Sequence, residues 1–140
     1  MSARSKARKQ ALDILYESDI RGSDALQTLE QRDIPDEGPD ARPIRQYTRD
    51  LISGVVENRR KIDELIMTYA QGWDMDRLPA VDRNILRIGI YEMLWSTAVP
   101  TSVSIDEALN LAKELSSDES SKYIHGVLGR IASLKASISI

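Results

Sequence analysis

Residues 2–20 read SARSKARKQALDILYESDI, and this stretch indicates how the chain folds. Small and apolar residues recur in it at helical spacing, at Ala7, Ala11, Ile14, Leu15 and Ser18. Residues three, four and seven positions apart share one face of an α-helix, whereas a strand alternates every second residue. The stretch therefore predicts a helix from its basic start to about Ile20, ended by Gly22.

The next segment predicts a short helix and then a loop. Ser23 is expected to cap a second helix that buries Leu26 and Leu29. Residues 33–42 contain two prolines, one glycine and four acids, a composition typical of a loop.

A third helix is predicted from Pro43, which suits a first helical turn, to about Ala70. Gly54 inside it marks a bend or a close packing contact. The pattern breaks at residues 72–74, Gly-Trp-Asp.

The second half of the chain predicts three more helices. The first spans about 81–97, the second begins with a Ser-x-x-Glu capping box at Ser104 and Glu107, and the last begins near Asp118. With no convincing strand alternation, the pattern indicates one all-α domain over residues 1–140, a bundle of six or seven helices.

The composition excludes several classes of protein. The chain has 140 residues, a formal net charge of −3, no cysteine and one histidine, so disulfides and thiolate metal sites are excluded. It carries neither a glycine-rich phosphate-binding loop nor a nucleophile elbow. No apolar run approaches the roughly 18 residues that a membrane span requires. We therefore expect an intracellular protein without catalytic activity, metal or cofactor.

Four cations precede the first apolar run, namely Arg4, Lys6, Arg8 and Lys9. A basic patch on an otherwise acidic protein suggests a localised anionic partner, and nucleic acid is the obvious one. On an ideal helix Arg4 and Arg8 continue the line of Leu12, whereas Lys6 and Lys9 point to the opposite side. An RNA strand that crosses the helix could meet both sets.

Two further groups are candidates for anion or base contacts. Arg83 and Arg87 lie one turn apart, so either acids such as Asp82 and Glu92 offset their repulsion or the pair awaits an anion. Lys122 precedes Tyr123, an arrangement used to stack an unpaired base, although a tyrosine packed between helices is the alternative.

Four blocks of this sequence resemble the NusB family of bacterial transcription antitermination factors. They are residues 7–16 (ARKQALDILY), 82–92 (DRNILRIGIYE), 99–113 (VPTSVSIDEALNLAK) and 121–128 (SKYIHGVL). The blocks occur in the order that the family has and span nearly the whole chain. The acidic loop between the first two resembles nothing specific.

The resemblance implies a fold of two three-helix bundles, at about 1–72 and 79–140. It implies a cytoplasmic RNA-binding protein that binds the boxA element of ribosomal RNA leader transcripts jointly with ribosomal protein S10 (NusE). That complex, with other Nus factors, lets RNA polymerase read through terminators.

The resemblance also implies roles for individual residues. The N-terminal cations and Tyr123 face RNA, Glu119 lies at the RNA edge, and Asp82 and Tyr16 contribute to the S10 side. The full set of candidate RNA-binding residues is Arg4, Lys6, Arg8, Lys9, Arg87, Glu119, Lys122 and Tyr123. The chain departs from the family where Ser5 interrupts the arginine-rich segment, and where His125 replaces an asparagine.

Two other functions stay open. One is a helical adaptor or dimerisation protein that does not bind RNA itself, since some family members form homodimers that mask the basic surface. The other is the similar helical domain that precedes an RNA cytosine methyltransferase in some proteins. Because the chain ends at Ile140 without room for a catalytic domain, we expect the second option to fail.

Overall fold

A computed structural model describes residues 2–33, 38–39, 42–70, 75 and 77–140. These residues form seven α-helices, a terminal 3₁₀ turn and no strand, which confirms the all-α prediction. The helices are α1 (Ala3–Arg21), α2 (Ala25–Arg32), α3 (Gln46–Glu57), α4 (Arg59–Tyr69), α5 (Ala80–Leu94), α6 (Thr101–Leu115) and α7 (Asp118–Ser133). Most of the predicted loop at 33–42 and the predicted break at 72–74 lie outside the described residues.

Helix α1 begins and ends as the sequence predicts. The hydroxyl of Ser2 accepts the backbone N–H of Ser5 at 3.1 Å and caps the first turn. Gly22 ends the helix with φ of 66°, a left-handed conformation that a side chain would strain.

The start of α2 differs from the prediction. The N–H of Ser23 bonds to the carbonyl of Ser18 at 2.9 Å and closes α1, so Asp24 caps α2 instead by accepting the N–H of Leu26 at 3.0 Å. Leu29 is buried as predicted, whereas Leu26 is 38% exposed.

The predicted third helix is two helices. It begins at Gln46 rather than at Pro43, and it breaks at Asn58, whose side-chain amide donates to the carbonyl of Gly54 at 2.8 Å. Gly54 is the close packing contact, because a Cβ there would lie 2.1 Å from two ring atoms of Tyr91 on α5.

The predicted capping box on α6 is wrong. Pro100 precedes the first helical residue, Thr101, so Ser104 already lies inside the first turn. Its hydroxyl lies 3.4 Å from the carbonyl oxygen of Pro100, and Glu107 bonds to residues of α1 instead.

Helix α5 is the centre of the fold and packs against α1, α3, α4, α6 and α7. Buried aliphatic residues from all seven helices form one continuous core. At Gly89 a Cβ would lie 3.1 Å from Leu128, so the glycine lets α7 approach α5 closely. Across the described ranges, none of the helices combines the length and the apolar character needed to cross a membrane.

Candidate nucleic-acid interface

Arg8 is the buried member of the N-terminal cations, at 2% exposure. Its Nε lies 2.8 Å from Oε1 of Glu92 and its Nη2 lies 2.9 Å from Oε2 of the same carboxylate. Burial by itself would lower the pKa of the Arg8 guanidinium, but the bonds to Glu92 and its charge raise it. Arg8 is therefore a fixed cation that ties α1 to α5.

Tyr47 on α3 completes this buried cluster. Its hydroxyl donates to Glu92, and its pKa is raised by burial, by that bond and by the charge of the carboxylate. The guanidinium carbon of Arg4 lies 4.9 Å from the centre of the Tyr47 ring, a cation–π contact at an exposed position. Tyr47 thus connects the buried Arg8 cluster to an exposed cation.

The remaining basic residues at the start of α1 are accessible. Lys6 is exposed, and Lys9 is 43% exposed although its Nζ lies 2.5 Å from Glu114 on α6. The hydroxyl of Ser5 donates to Glu107 at 2.8 Å. The expectation that Arg4 and Arg8 share a surface role is corrected here: Arg8 is enclosed, and Arg4 lies outside with Lys6 and Lys9.

The second basic pair is also internal. Arg87 is 3% exposed and donates to both carboxylate oxygens of Asp63 at 2.9 and 3.2 Å, and to Asp19 at 3.1 Å. Arg83 donates to the same Asp19 at 2.9 Å. The acids that offset this pair are therefore Asp19 and Asp63, and not Asp82 and Glu92. Because Arg87 is buried, it cannot contact an RNA directly in this structure.

Asp82 and Tyr123 lie together in a cleft of about 220 Å³ between the start of α5 and the start of α7. Asp82 is 3% exposed and accepts the hydroxyl of Ser120 at 2.7 Å through Oδ2. Its Oδ1 has no hydrogen-bond partner among the described residues. Burial and the charge of Asp82 raise the pKa of the Tyr123 hydroxyl.

Glu119 also lines this cleft, whereas Lys122 and His125 are exposed on α7. Asp82 thus lies beside residues that the resemblance assigns to the RNA side, whereas the resemblance assigns Asp82 itself to the S10 side. The described part of the chain contains no cluster of three histidine, aspartate or glutamate side chains that could hold a metal ion.

A larger groove of about 1110 Å³ runs beside α1. Tyr16, which is 38% exposed, lines it together with apolar residues. Its charged residues are Lys6, Lys9, Asp13, Arg32, Arg42 and Arg45.

The sequence alone does not reveal several of the contacts described above. Tyr47 belongs to no motif, and no sequence pattern pairs Glu92 with Arg8, which lies 84 positions away. The burial of Arg8 is predictable in part, because Arg8 lies on the same side of α1 as Leu12, and that side faces the core. No such pattern marks Gln10, yet it holds the segment before α3 against α1.

A sequence profile of the NusB family matches residues 5–133. The chain belongs to the NusB family. The family consists of transcription antitermination proteins rather than enzymes, so the expectation of a non-enzymatic protein is confirmed.

Curated NusB relatives cover almost the whole chain. The transcription antitermination protein NusB of Saccharopolyspora erythraea is 52% identical over 135 residues, which are 96% of this chain and 89% of that protein. The NusB protein of a Nocardioides species is 48% identical over 139 residues, covering 99% of this chain and 100% of its own length.

Solved NusB structures share the fold. NusB of T. maritima superposes with a TM-score of 0.79 at 37% identity, over 94% of this chain and 92% of that chain. A chain from the crystal structure of the antitermination factors NusB and NusE in complex with dsRNA gives a TM-score of 0.75 at 25% identity, covering 93% of this chain and 96% of that one.

Proposed function

We propose that this protein binds the boxA element of ribosomal RNA leader transcripts jointly with ribosomal protein S10 (NusE). In that complex, with RNA polymerase and other Nus factors, it promotes processive elongation in the cytoplasm. The observation that carries the proposal is the likeness, over 93% of this chain, to a chain from the crystal structure of the antitermination factors NusB and NusE in complex with dsRNA.

The exposed cations of α1 supply the phosphate contacts. Lys6 and Lys9 project from the side of α1 opposite its packed face, and Arg4 lies exposed in the first turn of the same helix, so their positions are set before RNA arrives. Cations that neutralise phosphates release condensed counterions, which favours binding at low salt. Arg8 contributes indirectly, because its bonds to Glu92 hold these turns of α1 against α5.

The cleft between α5 and α7 receives one unpaired base. An unpaired base can stack on the ring of Tyr123 in this cleft, whose lining also includes the buried carboxylate of Asp82. Lys122 lies next to Tyr123 in sequence and can bind the adjoining phosphate, while Glu119 offers an acceptor at the rim.

The S10 contact includes Tyr16. Ile20, one turn further along α1, is 61% exposed and Tyr16 is 38% exposed. Exposed aromatic and aliphatic side chains on one helix face suit a protein partner better than a polyanion.

The test is binding of a short fluorescein-labelled single-stranded boxA RNA, followed by fluorescence anisotropy with and without S10. We expect tighter binding with S10 and an affinity that falls with salt, by roughly 0.7 log units per log unit of salt for each phosphate contact. A scrambled RNA of the same composition is the control for sequence preference. Absence of RNA binding even with S10 would leave the adaptor function instead.

A further inference from the structure

The groove beside α1 gathers cations from three separate parts of the chain. Helix α1 contributes Lys6 and Lys9, the segment before α3 contributes Arg42 and Arg45, and α2 contributes Arg32. The lining of this groove is therefore mainly positive, although the protein as a whole has a formal net charge of −3.

Three of the five cations that line this groove lack a carboxylate partner among the residues that the structure describes. Asp13 is the one carboxylate among the described residues that line it, and it already pairs with Arg32 at 2.5 Å. Lys6, Arg42 and Arg45 form no ion pair with any residue that the structure describes. Like charges at one place repel, so the groove favours an anion that supplies the missing charge.

Gln10 on α1 fixes the segment that carries Arg42 and Arg45. Its amide nitrogen donates to the carbonyl of Pro43 at 3.2 Å, and its Oε1 accepts the backbone N–H of Arg45 at 3.1 Å. The hydroxyl of Thr48 lies 2.8 Å from the same Oε1. The side chain of Gln10 thus binds the backbone of the segment on both sides of Ile44. These bonds keep the segment extended, so α3 begins only at Gln46.

We infer that Arg42 and Arg45 extend the RNA-binding surface beyond α1, and that Gln10 is the positioning residue for both. They bind phosphates of the same single strand that contacts Lys6 and Lys9. This inference rests on the proposed function and adds a second row of phosphate contacts to it.

Continuity favours RNA over an acidic protein as the occupant. Lys6 and Lys9 belong both to the proposed RNA surface and to this groove, so a strand bound there is led directly toward Arg42 and Arg45. A guanidinium also binds a phosphate through two parallel hydrogen bonds, which suits a regular polyanion.

The test compares Arg42→Gln/Arg45→Gln with Arg60→Gln/Arg130→Gln. The control pair removes the same charge from exposed positions on α4 and α7 that do not line the groove. Binding of fluorescein-labelled boxA RNA is measured over a range of salt concentrations. We expect the groove variant to reduce the slope of log affinity against log salt by about 1.4, at roughly 0.7 for each lost contact, and the control to leave it nearly unchanged.

Each other outcome has a definite meaning. If the wild type binds RNA and the groove variant keeps the full slope, this inference is wrong and the proposed function stands. If the control loses as much slope as the groove variant, the effect is one of net charge and the inference is also wrong. Weaker binding of S10 with an unchanged RNA slope would assign the groove to the protein partner. Failure of the wild type to bind RNA would remove both proposals.

A third variant examines Gln10. Gln10→Leu keeps both arginines but removes the bonds to Pro43 and Arg45, so we expect a smaller loss of slope than in the groove variant. Added to Arg42→Gln/Arg45→Gln, it should cause no further loss, because the residues that it positions are already absent. An additional loss in the triple variant would contradict the positioning role.

Discussion

Arg8 of α1 and Glu92 of α5 form a two-pronged ion pair in the interior, with both side chains at most 3% exposed. Removing one partner of such a pair leaves the other charge buried and uncompensated. Arg8 therefore belongs to the machinery that holds the fold, although it stands among cations that face solvent.

The first prediction separates Arg8 from Arg4. We expect Arg8→Ala to lower the free energy of unfolding by about 3–5 kcal/mol, since Glu92 loses its buried partner. Arg4→Ala should change stability by less than about 1 kcal/mol, because only an exposed cation–π contact is lost. Urea unfolding measures both. Equal stability of the two variants would contradict the burial of Arg8.

The second prediction concerns Gly54 and Tyr91. We expect Gly54→Ala to destabilise the fold by about 1–3 kcal/mol, because the added Cβ would lie 2.1 Å from the Tyr91 ring. In a Tyr91→Ala background the same change should stabilise, by up to about 1 kcal/mol, since alanine is the better helix former. Thermal unfolding of the four proteins in this cycle measures the reversal. The same sign in both backgrounds would show that the ring is not the obstacle.

The third prediction is a dependence on acid. Burial alone would raise the pKa of Asp19, but the bond from Arg83 and the charge of Arg87 hold it below the ordinary value of 3.8. The unfolded carboxyl therefore takes up a proton at a higher pH than the folded one. The stability that Asp19 contributes is complete above that ordinary value and is lost as the pH falls through the folded-state pKa.

We therefore expect Asp19→Asn to be less stable than the wild type at neutral pH, and the difference to shrink in acid. One group can change the slope of stability against pH by at most about 1.4 kcal/mol per pH unit. Urea unfolding at a series of pH values measures it. A stability difference that stays constant from neutral pH into acid would rule out this linkage.

The fourth prediction separates stacking from packing at Tyr123. We expect Tyr123→Phe to keep most of the affinity for boxA RNA, because the ring face remains. Tyr123→Leu should lose about 1–3 kcal/mol of binding free energy. Circular dichroism of both variants provides the control: a loss of helix content in Tyr123→Leu would identify a packing residue instead.

What the sequence predicts well is what repeats locally. The spacing of apolar residues predicts α1, and Gly22 predicts where it ends. Both features depend only on residues a few positions apart. The predicted helix boundaries are wrong where another interaction competes with the local pattern. The apolar stripe runs through Asn58 without a sign of the break, and Pro100 starts α6 before the apparent capping box.

The candidate site is harder to predict, because its charged side chains pair with residues that lie far away in the sequence. Arg87 and Asp63 are 24 positions apart, and Asp82 and Ser120 are 38 apart, with no period that links them. A row of cations in sequence therefore divides, in space, into buried and exposed members. Only the exposed members stay candidates for RNA contact.

The bonds that hold the first turns of α1 also decide which molecule must change shape on binding. A basic arm that is disordered loses chain entropy when it folds onto RNA, about 1–2 kcal/mol for each backbone residue fixed. Here the Ser2 cap and the bonds from Ser5 to Glu107 and from Arg8 to Glu92 have fixed those residues already. In the proposed complex the helix therefore acts as a rigid template, and the RNA strand bears the entropy cost of adapting to it.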